Sequence, residues 1–367
     1  MEKTPADLSN HITAVQETLQ QLQINFQNSI TSSNENLINL ESTKIAKPLD
    51  EIPKLTNLIS AHATKLGLVF KPPIENSTLK ACWTEIDNIV RYSLLLISLL
   101  TQLNSSVEIY SKVFINELSS DSLNVLDTVI ILIQELNKLL PNEEENEESN
   151  EGNNEGNKKS DPRLIGVGMV WESCEKLLKT SKSGSSGVLK NKLKSTNKII
   201  IDALDELNEW LKNPIVGGGF DYDDDDIFGL NDDDDDDNDS GNELNDDGDD
   251  MASDEIISVG KEYSKKIQLV KLLISLLDKS IPNSEYTVEF SKSLDILHEK
   301  ILKLNEYVDD IIACIIYDSD LNGVEKASKL LTKEINQIVE LIRKINNNNE
   351  KRVQWLNSWK IKYEESK

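Results

Sequence analysis

Asp221–Asp250 reads DYDDDDIFGLNDDDDDDNDSGNELNDDGDD, thirty residues with seventeen acidic side chains and no Lys or Arg. Like charges at that density repel one another and cannot be packed into a core or along a helix at neutral pH. The stretch is therefore expected to be disordered, a divider between whatever folds on either side. Outward from it, in both directions, apolar residues recur at steps of three and four, the period of an amphipathic helix. No alternating strand pattern interrupts them. The fold class this predicts is all-α, two antiparallel helical bundles separated by a disordered acidic tract.

C-terminal to the tract, helical spacing starts near Ser253 and runs to Pro282. The most regular pattern follows: Phe290, Leu294, Leu297, Ile301, Leu304, Val308, Ile311 and Ile315, alternating steps of four and three. This seam reads either as one helix of an intramolecular bundle or as a candidate surface for a partner helix; the bundle reading is favoured because other apolar helices lie beside it. Val324–Ile345 gives a third helix, and Trp355, Trp359 and Tyr363 lie four apart on a fourth.

N-terminal to the tract, Val188–Leu211 presents one apolar face, and the Ser/Gly run Ser181–Gly187 separates it from a helix through Val167, Val170, Trp171, Cys174 and Leu177. That helix opens at Asp161-Pro162, a cap followed by Pro at the first helical position. Earlier come Asp7–Ser29, Pro48–Phe70 and Leu79–Leu103, then Val107–Leu140 with an expected break near Ser119-Ser120-Asp121. The domains predicted are 1–212, an N-terminal bundle containing a disordered Glu/Asn linker over 141–160; 213–252, the acidic tract; and 253–367, a C-terminal bundle.

The formal charge of −26 is concentrated in two places. Seventeen acids lie in Asp221–Asp250 and seven glutamates in Pro141–Asn157, which has no base; setting these aside leaves −2. The folded parts are thus nearly neutral, and no Lys/Arg stripe offsets the repulsion a phosphate backbone would feel. Three cysteines, Cys82, Cys174 and Cys314, are expected as reduced core thiols. The polar N-terminus and the short apolar run Tyr92–Leu100 predict a soluble, intracellular chain.

Chemistry-bearing motifs are weak. Asp318-Ser319-Asp320-Leu321-Asn322-Gly323 fits the first half of a calcium loop, but Lys329 stands where a bidentate Glu is needed, so the segment reads as a turn between helices. His11, His62 and His298 lack a second ligand at metal spacing. No phosphate loop, dinucleotide turn or nucleophile elbow is present. Carboxylates are plentiful but mostly in the acidic tracts, where nothing would tune a catalytic pair. The expectation is no enzyme, with no catalytic residues, metal or cofactor. Lys176, Lys179, Lys182, Lys190, Lys192, Lys194 and Lys198 form a basic patch that reads as a solvated face, or as a surface for the acidic tract.

Several landmarks occur in a familiar succession. They are Ala63-Thr64-Lys65-Leu66-Gly67-Leu68-Val69-Phe70 before Pro72-Pro73; Leu126-Asp127-Thr128-Val129; Val170-Trp171-Glu172-Ser173-Cys174; and Asn213-Pro214 before an acidic stretch with Ile227-Phe228-Gly229. Together they resemble the cyclin-D-binding protein family, cyclin-D-interacting proteins also called Maid-like or Id-like helix-loop-helix proteins. The resemblance implies talin- or vinculin-like bundles and a non-enzymatic regulator of cell-cycle progression or transcription. It implies D-type cyclin or helix-loop-helix partners bound through helix faces, no direct DNA binding, no membrane, and location in cytoplasm and nucleus. Aspartates precede the helix at Ser253 where a DNA-contacting helix needs a basic segment, which agrees. The alternative readings are a cytoskeletal or adhesion-type helical scaffold, and an acidic-tract binder of histones or other basic proteins.

Overall fold

The computed structural model describes residues 4–31, 45–105, 109–140, 161–215, 251–283, 287–346 and 349–366. Apart from one isolated bridge, the regular elements among them are all helices. They are α1 (Pro5–Thr31), α2 (Pro48–Val69), α3 (Leu79–Asn104, entered by a 3-10 turn), α4 (Lys112–Asn137), α5 (Pro162–Trp210), α6 (Asp254–Ser280), α7 (Val288–Ile316), α8 (Leu321–Ile345) and α9 (Glu350–Glu365). The all-α class expected from periodicity is the class formed.

Local chemistry sets the helix starts. α1 opens on a reciprocal box: Asp7 N donates to Thr4 Oγ1 at 3.2 Å, and Thr4 N donates to Asp7 Oδ2 at 3.0 Å. Ser111, Ser253 and Asn349 cap α4, α6 and α9 by accepting from the backbone N–H three residues on. At Asp161-Pro162 the cap is as read: Arg163 N donates to Asp161 Oδ1 at 3.1 Å. Of two expected breaks, one is not a break. α4 runs unbroken through Ser119-Ser120-Asp121, because Ser122 donates back to Leu118 O and Asp121 finds partners across the bundle. The Ser181–Gly187 run does interrupt the helix as expected: α5 is two helices joined across a kink at Gly184, whose φ of 62° is a conformation that favours glycine.

Packing divides the chain into two compact units, residues 1–188 with 285–292, and residues 189–284 with 293–367. Residues 189–212, read from sequence with the N-terminal bundle, pack in the second unit.

In the first unit α2 packs along α3, while α1 packs against α3 and α4. One continuous core includes Ile12, Ile59, Leu66, Ile89, Leu100, Phe114, Ile133, Val170 and Leu177. Burying each such side chain stabilises the fold by about 1.5–3 kcal/mol before chain entropy is charged against it. Asn76–Asn104 is long and apolar enough to cross a membrane by length and composition, yet Ile86, Ile89, Leu96 and Leu103 are buried in this core.

In the second unit α6 packs on α8 and α9, and Trp359 Nε1 donates to Leu269 O at 2.9 Å. Ser264 of α6 donates to Asn208 of α5, and Lys300 of α7 pairs with buried Glu334 of α8 at 3.1 Å. Both flanks of the acidic tract belong to this unit. Ile215 and Met251 form an antiparallel bridge, Ala252 N donates to Pro214 O at 2.9 Å, and Trp210 Nε1 donates to Ile215 O at 2.9 Å. The tract therefore leaves and re-enters the second unit at one clasp. The tract itself, with its expected disorder, lies outside the described residues, as does the Glu/Asn linker.

Candidate functional site

Three of the sequence landmarks, far apart in the chain, converge on the first half of α5. Trp171 and Ser173 are two residues apart, so they project from well-separated faces of the helix. Trp171 Nε1 donates to Thr64 Oγ1 of α2 at 3.1 Å. Ser173 Oγ lies 2.8 Å from Thr128 Oγ1 of α4. The first half of α5 thus lies against α2 on one flank and α4 on the other. Glycines let it approach. A Cβ on Gly67 would stand 2.9 Å from Val167, and one on Gly166 would stand 3.0 Å from Leu132 Cδ1 and 3.3 Å from its Cα.

Ion pairs fix the two ends of this contact. Near its start the buried Arg163 guanidinium donates to Gly67 O, at the C-terminal end of α2, and to Asp161 at 2.7 Å. A cation there complements the helix C-terminal dipole, and Arg163 holds the Asp161 carboxyl below its ordinary pKa. Farther along, Asp121 is 1% exposed and accepts from Thr180 Oγ1 at 2.6 Å, with Lys176 Nζ at 2.8 Å. Hydrogen bonding to Asp121 raises the Lys176 pKa. Cys174 packs between, and burial pushes its thiol up to about 12, making it core filler in place of a nucleophile.

The outward side of the α2–α5 contact is apolar. Gly67 meets Arg163 and Val167 while Thr64 meets Trp171, so the helices run antiparallel here. Leu68 lies one turn on from Thr64, and Gly168 and Leu164 lie back along α5 from Trp171 on its face. Leu68 is 69% exposed, Leu164 56% and Trp171 48%. Between them Gly168 has no neighbour within 4 Å of where a Cβ would stand. Three large apolar side chains and a bare stretch of helix backbone thus share one exposed face.

The seam read as a candidate partner surface lies elsewhere. Leu294, Leu297, Ile301, Leu304, Val308, Ile311 and Ile315 are buried, all but Ile301 completely, and only Phe290 is half-buried. The structure places the seven from Leu294 to Ile315 in the second unit's core, while Phe290 belongs to the first unit. The calcium-like segment is a helix start: Asp320 caps α8 by accepting from Asn322 N at 3.0 Å, and Val324–Lys329 are already helical. Two of the three histidines are satisfied locally. His11 lies 2.9 Å from Asp87 and stacks on Trp83, while His62 lies 2.5 Å from Glu85 and stacks on Tyr92. Burial and the nearby Lys192 lower the His298 pKa. Among the described residues no group of three His, Cys, Asp or Glu side chains is placed to hold a metal. Of the basic patch, Lys176 is engaged by Asp121 and Lys190 by Asn283.

The sequence pattern places Trp171 with the inward stripe of its helix and does not single out the face it shares with Leu164. The available signal was one of phase: Val167, Val170, Cys174 and Leu177 make a complete stripe without it.

Comparison with known proteins points to the same region. Residues 51–213 match the family model described as Grap2 and cyclin-D-interacting, N-terminal, which spans α2 to the end of α5. An uncharacterized protein of Saccharomyces cerevisiae is 27% identical over 323 residues, 87% of this chain and 86% of its own. An uncharacterized protein of Schizosaccharomyces pombe is 23% identical over 313 residues, 81% and 80% of the two chains. The family match bears out the resemblance to the cyclin-D-interacting proteins.

Proposed function

We propose that this chain, similar over residues 51–213 to the cyclin-D-interacting proteins, is a non-enzymatic protein-interaction regulator acting in cytoplasm and nucleus. Its partners on this reading are a D-type cyclin or a helix-loop-helix factor, and its output is restraint of cell-cycle progression or transcription. The observation that carries the proposal is that the matched residues present Leu68, Leu164 and Trp171 together on one exposed face. Large aromatic and aliphatic anchors on a rigid helical surface are what protein interfaces draw their affinity from. Among the described residues two of the three thiols are held protonated by burial, and two of the three histidines are paired with carboxylates.

The test is direct binding of the purified full chain to a D-type cyclin and to a helix-loop-helix factor, measured by titration calorimetry. Binding at about micromolar affinity or tighter is expected with one of them. Leu164→Asp should weaken it about tenfold or more with the melting temperature little changed, and Trp171→Ala should weaken it likewise while also losing the Thr64 hydrogen bond. No binding to any member of either class would sink the proposal.

A further inference from the structure

Gly168 stands apart from the other helical glycines among the described residues. Gly67, Gly166 and Gly260 each face a neighbour that a Cβ would crowd, and Gly184 has a positive φ. Gly168 has ordinary helical surroundings and open space. Glycine inside a helix is destabilising relative to alanine, and nothing in the chain's own packing offsets that here. A close approach by something outside the chain would.

The face around Gly168 says what fits. Leu68, Leu164 and Trp171 rim a bare patch of helix backbone, and a groove between two antiparallel helices accepts the side-chain ridge of a third. Along its α5 edge lie Glu172 and Glu175, exposed and without a cation partner among the described residues. The two long acidic stretches of this chain, Pro141–Asn157 and Asp221–Asp250, carry no base and would be repelled from that edge. A membrane rich in anionic lipid would be repelled likewise.

Resting on the reading of the chain as a protein-interaction regulator, we propose that this face docks one amphipathic helix of a partner. That helix crosses α5 at Gly168, sets its leucine-rich side against Leu68, Leu164 and Trp171, and turns a lysine- or arginine-bearing edge to Glu172 and Glu175. Docking of this kind is read through anchors at helical spacing on the incoming segment.

The experiment uses the full-length chain and two labelled synthetic helices with the same leucine stripe, one flanked by lysines and one by glutamates. Anisotropy is recorded in about 0.5 M salt, where screening suppresses diffuse attraction to the acidic tract. The lysine-flanked helix should bind saturably, and Gly168→Leu should weaken it about tenfold or more, with Gly168→Ala intermediate and melting no lower. Glu172→Lys with Glu175→Lys should reverse the preference between the two helices. Equal binding by wild type and Gly168→Leu, or no saturable binding, overturns the proposal. So does binding of anionic phosphatidylserine vesicles lost on Gly168→Leu. A Gly168→Leu chain that still binds cyclin normally overturns this docking mode and leaves the regulator reading intact; a wild-type chain that binds neither partner class defeats that reading by itself.

Discussion

The indole of Trp171 donates to the Thr64 hydroxyl at 3.1 Å, tying α5 to α2 across 107 residues of chain. The bond sits at the edge of an exposed apolar face, so it orients the ring that a partner would meet. A neutral hydrogen bond of this kind contributes about 0.5–1.5 kcal/mol net. Trp171→Phe and Thr64→Val should each cost about that much in urea unfolding, and the double variant little more than either alone. Fully additive losses would show that the two side chains are not coupled.

Two glycines on the same helix should respond oppositely to a side chain. Gly166→Val would press on Leu132, including its backbone, and should lower stability by about 1–3 kcal/mol. Gly168→Ala meets nothing and should raise stability by up to about 1 kcal/mol. Denaturant midpoints for the pair decide it; a loss at Gly168 would mean that the site is tighter than it stands here.

The heptad seam should behave as core. Leu304→Ala removes a completely buried side chain from the second unit and should cost about 2–5 kcal/mol. Sedimentation should show no change in oligomeric state. If the variant instead dissociated an oligomer at full monomer stability, the seam would be an interface.

Helix class and most helix limits were legible because burial on one side of a helix imposes a period that survives in the sequence. Of the two small-residue runs one misled, because small side chains signal a break only when the chain has no other use for them. At Ser119-Ser120-Asp121 the structure uses them for close helix contact and for a buried carboxylate, whereas at Gly184 the expected break is present as a kink between two helices. The face around Trp171 was not legible, because the Thr64–Trp171 and Thr128–Ser173 pairings join α5 to helices far back in the chain, and periodicity carries no information about which helices meet. The acidic tract showed its charge plainly. What composition did not convey is that its two ends meet.

Because they meet, the tract should be removable. Replacing residues 216–250 with an Asn-Gly turn would close Ile215 and Met251 into a hairpin and change the formal charge from −26 to −9. The melting temperature should move by no more than about 2–4 °C in circular dichroism. Collapse of the second unit's helicity would show that the tract is part of its fold.

Alkali should weaken the protein through groups that folding keeps protonated. Burial pushes Cys82 from 9.0 to about 11, Cys174 from 9.0 to about 12 and Tyr363 from 10.0 to about 12. In the unfolded chain these groups release their protons first, so between those limits the native state binds more protons and stability falls as pH rises. Their contribution is complete below about pH 9 and lost progressively toward pH 12. Urea midpoints should fall across that range, and Cys174→Ala should remove part of the slope; a flat profile would refute the assignment.

The clasp at Ile215 and Met251 also bears on how this chain can change over generations. Closing a longer loop costs only about 0.6 kcal/mol for each doubling of its length. A run of aspartate codons held between fixed ends can therefore expand or contract while the second unit folds as before. The helices on either side are held to an apolar pattern by what they bury; the length of the loop is held by little except whatever the negative charge itself does.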